Sequence, residues 1–406
     1  MISDKQKKIL AFPYSNYDAL ICDGAVRSGK TSIMMWAFVD WAMENFSGQR
    51  FGICGKTVDS AAKNIIVPFT SMTLAKERYI MRWRRSEKIL EVRRGAVTNL
   101  FEVFGGKDES SFTLIQGRTL AGVLLDEVVL MPRSFVEQAM TRCSVDGAKL
   151  WFSCNPGSPQ HWFYVEWIQK RKERNALYLH FQMTDNPGLS EKTLARYEAM
   201  FTGVFYQRYV QGEWVLAEGL IYSVFGEHAT VPTVERKYLR YAISMDYGIQ
   251  NPTAMLLWGF CDGVWYQVDE FYHSGRETSR QKTDQEYYED LERLAGDRYI
   301  DCLIIDPSAT SFITLVKQKR RFRIRQAKNE VIDGIQKTAS AIQQGKIKVN
   351  DCCKRTIKEY GLYSWDQKAE EDTPVKENDH AMDATRYFVN TMNIMKAKSD
   401  YRSLLE

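Results

Sequence analysis

The sequence predicts a chain of two α/β domains. In the first half, short apolar runs typical of strands alternate with helical stretches, which is the pattern of a mainly parallel sheet with flanking helices. In the second half, two strand-like runs flank the turn Cys261-Asp262-Gly263 and predict a hairpin, so the sheet there should be mixed. The length of 406 residues agrees with this organisation, since domains have roughly 100–200 residues each.

The first predicted domain covers residues 1–215. It begins with a strand at residues 19–23, which a largely apolar helix, Ser32–Met43, follows. From about residue 159 to residue 215 the pattern becomes helical and aromatic, and this predicts a helical subdomain. The other predicted strands, with helices between them, are Phe51–Cys54, Gly122–Leu125 and Leu150–Cys154.

A linker is predicted over residues 216–236, because this stretch carries Gly219, Gly226 and Pro232 and few long periodic runs. The second domain is then expected over residues 237–406. Its predicted elements are the strands Leu239–Met245, Thr253–Phe260, Val264–Tyr272 and Cys302–Ile305 and a C-terminal helix from Asp379 to Met395.

The composition favours a protein of a reducing cytoplasm without a membrane role. The eight cysteines include no C-x-x-C pair, which argues against a zinc site and against a disulfide framework. No signal peptide is evident, and the apolar stretch Ile33–Val39 is well short of the roughly 20 residues that a bilayer needs. The net charge of +4 is too small to indicate a nucleic-acid partner by itself.

A phosphate-binding loop is predicted between the first strand and its helix. The residues Gly24 to Thr31 fit the pattern G-x-x-x-x-G-K-[ST]. Gly24 and Gly29 let backbone N–H groups wrap phosphates, Lys30 neutralises the β and γ oxygens, and Thr31 can hold Mg²⁺. The first domain is therefore expected to be a P-loop NTPase of the RecA-like type that binds ATP.

Acidic and amide groups follow two further predicted strands. Asp126 is expected to join the Mg²⁺ shell, and Glu127 to polarise the attacking water. Asn155 would lie near the γ-phosphate if its strand is a parallel neighbour, whereas the alternative is a simple Asn-Pro-Gly turn. Arg27, inside the P-loop, is expected to offset charge that develops on the γ-phosphate.

Three aspartates predict a nuclease site in the second domain. Asp246 and Asp306 each close a strand, and Asp383 lies one turn into the C-terminal helix. Two strand-end aspartates and one helix aspartate beside an early hairpin are the arrangement of an RNase H-like α/β nuclease. Carboxylate oxygens suit Mg²⁺ or Mn²⁺ rather than zinc, and a two-metal site hydrolyses phosphodiesters. Each aspartate alone is also a common turn or cap residue.

Three further residues of the second domain are assigned different roles. His380 is expected to aid proton transfer or to contact a phosphate, with an ordinary surface histidine as the alternative. Asp379 is interpreted as the N-cap of the helix rather than as a ligand. Glu270, late in the hairpin, is a further candidate ligand.

Two basic clusters are candidates for contact with the DNA backbone, which a cutting or translocating protein binds regardless of sequence. Solvated protein faces are the alternative for both. The first consists of Lys317, Lys319, Arg320, Arg321, Arg323, Arg325 and Lys328. The second consists of Arg82, Arg84, Arg85, Lys88, Arg93 and Arg94, around Trp83.

The motifs occur in an order that resembles the large terminases of tailed bacteriophages. The match runs over almost the whole chain, and the sequences NDHAMDATRY and SCNPGSP are its more specific parts. The segments that carry it are Gly24–Thr31, Leu124–Glu127, Trp151–Pro159, His161-Trp162, Gly212–Trp214 and Asn378–Tyr387.

This resemblance implies a motor that feeds viral double-stranded DNA through a portal into an empty capsid, and a nuclease that trims concatemeric DNA. It also implies a small terminase subunit and a portal protein as partners, a homo-oligomeric ring, and the cytoplasm of the infected bacterial host. Gln6 matches the adenine-reading glutamine by a single residue. The other residues that it assigns are Lys30, Thr31, Asp126 and Glu127 to the ATPase motifs, Asn155 to the coupling motif, and Asp246, Asp306 and Asp383 to the nuclease triad.

Three alternatives explain less of the sequence. An ATP-dependent helicase or translocase whose second domain only binds DNA has no need of the three aspartates. A transposase or integrase of the RNase H type explains the aspartates and not the P-loop. A capsid or adaptor component explains neither.

Overall fold

The computed structural model describes residues 2–226, 229–248, 251–367, 369 and 371–395. The chain separates into two compact units. The first consists of Met1–Glu198 and Val204–Leu216, and the second of Ala199–Gly203 and Ala217–Glu406. Each unit is built around its own sheet.

The sheet of the first unit is mainly parallel. Its strands are β1 (Ala19–Gly24), β2 (Arg50–Gly55), β3 (Ile80–Arg84), β4 (Ile89–Arg94), β5 (Val97–Gly105), β6 (Gly122–Asp126), β7 (Lys149–Ser153) and β8 (Ala176–Phe181). Their order across the sheet is β3-β4-β5-β2-β6-β7-β1-β8. The β3–β4 and β4–β5 pairs are antiparallel and the other pairs are parallel. The carboxyl ends of β1, β6 and β7 therefore meet at one edge.

Helices cover both faces of this sheet, as a parallel sheet requires. From the N-terminus to Tyr206, the α-helices are α1 (Asp4–Ala11), α2 (Lys30–Asn45), α3 (Val58–Ala61), α4 (Val67–Ser71), α5 (Thr73–Arg78), α6 (Arg133–Thr141), α7 (Glu191–Glu198) and α8 (Gly203–Tyr206). One face packs an aromatic cluster around Phe38 and Trp151, whose rings are 5.6 Å apart. The other packs Phe152 against Trp167 at 4.7 Å.

The structure corrects two expectations for the first unit. The stretch of residues 159–215 is not wholly helical, because β8 lies within it and pairs with β1 from Ala19↔Ala176 to Gly24↔Phe181. The strands β3, β4 and β5 also occupy a region that was expected to be helical. Short apolar and aromatic runs fit either structure by pattern, and the available partner strand decides between them.

The second unit contains a mixed sheet that includes the predicted hairpin. Its strands are β9 (Thr230–Val231), β10 (Arg240–Asp246), β11 (Thr253–Cys261), β12 (Val264–His273), β13 (Ile300–Ile305), β14 (Ile324–Gln326) and β15 (Ile347–Asn350). Their order is β14-β13-β10-β11-β12-β15-β9. The strands β10, β11 and β12 are antiparallel neighbours, whereas β13 is parallel to β10.

The helices of the second unit are α9 (Gly275–Thr278), α10 (Asp284–Ala295), α11 (Thr310–Lys319), α12 (Val331–Gln343), α13 (Lys354–Tyr360) and α14 (His380–Met392). The helix α14 packs on the sheet, where Phe388 stacks on Trp258 with ring centroids 4.3 Å apart. Part of the stretch predicted as a linker is packed here too, since Ile221 and Tyr222 are buried and β9 pairs with β15. Within the described residues, no helix combines the length and the apolar character needed to cross a membrane.

Candidate active sites

The turn between β1 and α2 has the geometry of a phosphate-binding loop. Gly24 has a φ of 119°, and a Cβ at this position would collide with the carbonyl oxygen of Phe181, so that only glycine fits. The helix α2 begins at Lys30, directly after Gly29 in the left-handed conformation. The first N–H groups of α2 and the positive end of its dipole therefore face the loop, which suits a bound polyphosphate.

The Lys30 side chain is buried within this loop. Its Nζ donates hydrogen bonds to Gly24 O at 3.2 Å, to Ala25 O at 3.0 Å and to Asn155 Oδ1 at 2.8 Å. Burial lowers the pKa of Lys30. Asn155 follows β7, which is the parallel neighbour of β1, so the sheet brings this amide to the P-loop lysine.

Asp126 is held by two hydroxyl groups. Thr31 Oγ1 donates to Asp126 Oδ1 at 3.0 Å, and the Ser153 hydroxyl donates to the same oxygen. Burial raises the pKa of Asp126, while these hydrogen bonds oppose the shift. Ser153 was not predicted from the sequence, although its position at the end of β7 beside β6 places it next to Asp126.

Glu127 occupies a strained backbone position at the same edge. Its φ of 56° and ψ of 46° are left-handed, which costs a residue other than glycine about 1–3 kcal/mol. Burial and the charge of Asp126 raise the pKa of Glu127. Its carboxylate makes no hydrogen bond with any described residue, so it is available to a water molecule.

Gln6 and Arg27 differ in burial and in what they contact. Gln6 is buried, and its Nε2 lies 2.7 Å from where a Cβ on Gly29 would be. Arg27 is exposed, and its Nε donates to the Tyr197 hydroxyl of α7 at 2.8 Å. The structure thus brings Gln6 to the P-loop, while the Arg27 guanidinium contacts an aromatic side chain.

Asp23 is a buried carboxylate that was not predicted from the sequence. It precedes Gly24 and has no exposed surface. It accepts hydrogen bonds from Trp214 Nε1 at 2.6 Å and Tyr178 Oη at 3.0 Å, and its other oxygen lies 2.9 Å from His180 Nδ1. These contacts fasten β8 and the segment around Trp214 to the end of β1. A charged residue that ends an apolar strand was the available signal in the sequence.

In the second unit, the three predicted aspartates occupy neighbouring elements. Asp246 is the last residue of β10, Asp306 directly follows β13, and Asp383 lies in the first turn of α14. Since β10 and β13 are parallel, with Met245 beside Ile305, Asp246 and Asp306 emerge at the same sheet edge. Burial is the largest cause of the raised pKa of Asp246, and the charge of Asp383 adds to it.

Each of these aspartates has a hydrogen-bonding partner within the chain. His380 Nδ1 lies 2.8 Å from Asp246 Oδ2. Asp306 accepts from Ser308 N at 2.8 Å and from Asn329 Nδ2 at 3.0 Å. Burial alone would raise the pKa of Asp306, but these hydrogen bonds lower it. Asp383 Oδ1 accepts from Arg386 Nη2 at 2.8 Å.

His380 is part of this carboxylate cluster and not an ordinary surface histidine. Burial disfavours its protonation, but the hydrogen bond to Asp246 and the charges of Asp246 and Asp379 raise the pKa of His380. Its Nε2 lies 3.7 Å from Asp379 Oδ1. The imidazole therefore bridges two acidic side chains.

Asp379 and Glu270 have contacts that their predicted roles did not include. Asp379 stands at the N-cap position of α14, but its side chain makes no capping hydrogen bond. Glu359 instead accepts from Ala381 N at 2.7 Å. The Glu270 carboxylate accepts from Arg355 N at 2.7 Å and Thr356 N at 2.9 Å, so it caps α13.

The donor set fits a hard divalent cation in its chemistry. Asp246, Asp306 and Asp383 offer carboxylate oxygens, which Mg²⁺ and Mn²⁺ prefer. Among the described residues, however, no three carboxylate, imidazole or thiol groups lie close enough together to enclose an ion.

About half of the cations in the two basic clusters are engaged by other side chains or backbone groups. In the first cluster, Arg321 contacts Glu292 at 3.2 Å and the Gly296 carbonyl. In the second, Arg84 pairs with two glutamates and Arg94 with one. The exposed cations whose side chains make no ion pair, hydrogen bond or cation–π contact with a described residue are Lys317, Arg320 and Arg323 in the first cluster and Arg82, Arg85 and Lys88 in the second.

Comparison with known proteins finds matches in both units. Residues 21–228 match the family model for "Terminase large subunit, T4likevirus-type, N-terminal", and residues 244–391 match the model for "Terminase RNaseH-like domain". The large terminase subunit of Escherichia phage T5 is 23% identical over 236 residues, which are 54% of this chain. The match spans about half, 52%, of that relative's length.

Solved structures of similar sequence agree with these matches. The large terminase of a thermophilic bacteriophage is 51% identical, with a TM-score of 0.92 over 97% of this chain and 99% of that chain. A structure of the same phage protein in complex with ATP-gamma-S is 49% identical, with a TM-score of 0.90 over 97% of this chain and 100% of that chain. The predicted order of a P-loop ATPase domain and an RNase H-like domain is confirmed.

The contacts of Asp23 generate a prediction about the stability of the first unit. Trp214→Phe keeps an aromatic ring but removes a donor to a buried carboxylate, so we expect a loss of about 1–3 kcal/mol in the free energy of unfolding. Urea denaturation of the full chain measures it. The matched control is Trp36→Phe, because the Trp36 indole N–H makes no hydrogen bond with a described residue. Equal losses in the two variants would contradict the prediction.

Proposed function

The chain belongs to the terminase large subunit family, and we propose that it uses ATP hydrolysis in its first unit to move double-stranded DNA into a procapsid. We propose further that its second unit cuts concatemeric DNA with a two-metal site. The observation that carries the proposal is the presence of both sets of side chains in one chain: Lys30, Thr31, Asp126 and Glu127 around the P-loop, and Asp246, Asp306 and Asp383 at the edge of the second sheet.

In the ATPase unit, Lys30 and the N–H groups of the loop would bind the phosphates, and Thr31 and Asp126 would hold Mg²⁺. Glu127 would accept a proton from the attacking water. The hydrogen bond from Lys30 to Asn155 supports a role for this amide in responding to the γ-phosphate. The large terminase of the thermophilic phage, in complex with ATP-gamma-S and with ADP, supports nucleotide binding.

Two further residues are proposed for the nucleotide site. The position of Gln6 against Gly29 supports a contact with the adenine. Arg27 would offset negative charge on the γ-phosphate, which requires its guanidinium to exchange Tyr197 for the nucleotide.

In the nuclease unit, Asp246, Asp306 and Asp383 would hold Mg²⁺ or Mn²⁺. When bound, these ions would activate the attacking water and stabilise the leaving oxygen. His380, whose Nδ1 lies 2.8 Å from Asp246 Oδ2, would aid proton transfer. Proton donation to the leaving group is the role that this placement supports.

The family also implies partners for the intact motor. We propose that it acts as a homo-oligomeric ring in the cytoplasm of the infected bacterium, together with a small terminase subunit and a portal protein. A helicase or translocase that only binds DNA with its second unit is the alternative, and no observation favours it over a nuclease.

The first prediction from this proposed function concerns ATP turnover. Glu127→Gln should bind ATP as the wild type does but hydrolyse it about 10²–10⁴-fold more slowly, because the water loses its base. Steady-state phosphate release and binding of a fluorescent nucleotide measure the two effects. Glu173→Gln, at an exposed position of the same unit, is the control. Turnover at the wild-type rate in the Glu127 variant would contradict the assignment of Glu127 as the base for the attacking water.

The second prediction concerns cutting. Asp246→Asn should reduce nicking of supercoiled plasmid to the level seen with a chelator, because the cations are deprived of one negative ligand. ATP turnover by the same full-length variant should stay near that of the wild type. Asp297→Asn, an exposed change in the same unit, should cut normally. Undiminished Mg²⁺- or Mn²⁺-dependent nicking by Asp246→Asn would rule out its proposed role.

The third prediction concerns the exposed cations of the first cluster. Replacing Lys317, Arg320 and Arg323 by alanine should weaken binding to any DNA sequence. The log–log salt dependence should flatten by about 0.9 for each phosphate that the variant no longer neutralises. Binding isotherms at several salt concentrations measure the slope. The control is Arg321→Ala, which removes a cation that is already paired with Glu292 and should therefore change the slope less. An unchanged slope in the triple variant would identify the cluster as a solvated face.

A further inference from the structure

The guanidinium of Arg386 connects one nuclease aspartate to a loop of the same unit. Arg386 is 2% exposed. It donates from Nη2 and Nε to Asp383 Oδ1 at 2.8 and 3.3 Å, and from Nη1 to the carbonyl oxygens of Asn329 and Glu330 at 2.7 and 3.2 Å. The ionised side chain thus fixes Asp383 and the backbone that precedes α12.

The side chain of Asn329 continues this connection to a second aspartate. Its Nδ2 donates to Asp306 Oδ2 at 3.0 Å, while Asp306 Oδ1 accepts from Ser308 N. The series Asp383–Arg386–Asn329–Asp306 is therefore unbroken, with contacts of 2.8, 2.7 and 3.0 Å. It joins a carboxylate of α14 to a carboxylate at the end of β13.

The helix α12 passes close to this connection. A Cβ on Gly334 would lie 2.6 Å from Arg386 Cγ, so the close packing of α12 on the Arg386 stem depends on the absence of a side chain at this position. Arg386 therefore contacts both α12, at Gly334, and the backbone carbonyls of residues 329–330 directly before it. Asn329 accordingly presents its amide from a fixed backbone.

We propose that Asn329 is a positioning residue, which together with Arg386 sets the place of Asp306 relative to Asp383 for a divalent cation. This rests on the proposed nuclease function. Two carboxylates that share a cation repel each other before it binds, and a fixed donor to each of them limits their separation. Arg386 donates both of its bonds to Asp383 Oδ1, which leaves Asp383 Oδ2 for a metal, and Asp306 Oδ2 keeps a lone pair beside its bond from Asn329. The donors therefore orient the ligands without blocking them.

The contacts of Asn329 distinguish this role from loop stabilisation. Asn329 is exposed, and among the described residues Asp306 is the one that accepts a hydrogen bond from its side-chain amide. The N-cap residue of α12 is Glu330, so the Asn329 side chain does not cap that helix. Replacing it should therefore leave the fold intact.

The test is a titration of the full-length protein with Mn²⁺, without nucleotide, followed by electron paramagnetic resonance. Asn329→Ala should weaken the Asp306-dependent Mn²⁺ binding by about 10–100-fold, which is typical when a residue that orients a metal ligand is removed. The Mn²⁺ binding that is lost in an Asp306→Asn variant is the Asp306-dependent part of the resonance signal. Nicking by Asn329→Ala should require more Mn²⁺, and the KM for DNA should stay unchanged. The melting temperature without metal should equal that of the wild type.

The matched control is Gln343→Ala, which removes an exposed amide at the far end of α12. It should bind Mn²⁺ like the wild type. If Asn329→Ala does so as well, with the same Mn²⁺ dependence of nicking, the positioning role is overturned and the nuclease function stands. If the wild type neither binds Mn²⁺ through Asp306 nor nicks DNA, the nuclease function fails, and the positioning role fails with it.

Discussion

Parallel pairing of strands is the constraint on which both candidate sites depend. In the first sheet, β1, β7 and β6 are parallel neighbours, and their carboxyl ends deliver the P-loop, Asn155 and Asp126 to one edge. In the second sheet, β10 and β13 do the same for Asp246 and Asp306. A shift of either pairing by one residue would turn these side chains to the other face of the sheet. The chemistry proposed for each unit therefore depends on strand register, because the register brings the individual site residues together.

Buried charges at these edges are kept by hydrogen bonds from the chain, since an unpaired buried charge costs several kcal/mol. Asp23 is bound by side chains of β8 and of the segment around Trp214. Arg386 is bound by Asp383 and two carbonyl oxygens. The same contacts that stabilise the fold thus hold the functional groups in place. In the second unit, α14 supplies both His380 and Asp383, and its stacking on Trp258 through Phe388 fixes that helix on the sheet.

The sequence sufficed for structural features that contiguous residues specify, and failed for those that depend on contacts distant in the chain. The P-loop, Asp126 and the hairpin were predictable because a local pattern specifies each of them. Asp379 lies at the N-cap position of α14 as predicted, but the capping hydrogen bond goes to Glu359 of another helix. The bond from Arg355 N to Glu270 and that from Arg386 to the Asn329 carbonyl join residues 85 and 57 positions apart, which no local pattern encodes. The strand β8 depends on its partner β1 in the same way.

The most direct test of the nuclease site is a crystal structure of the full chain grown with Mn²⁺ and measured at the manganese absorption edge. We predict anomalous density between the strand ends of β10 and β13 and the first turn of α14. Oxygens of Asp246, Asp306 and Asp383 should be its protein ligands. Manganese bound only elsewhere, with these carboxylates still held by His380, Asn329 and Arg386 alone, would contradict the claim that they form a metal-dependent nuclease site.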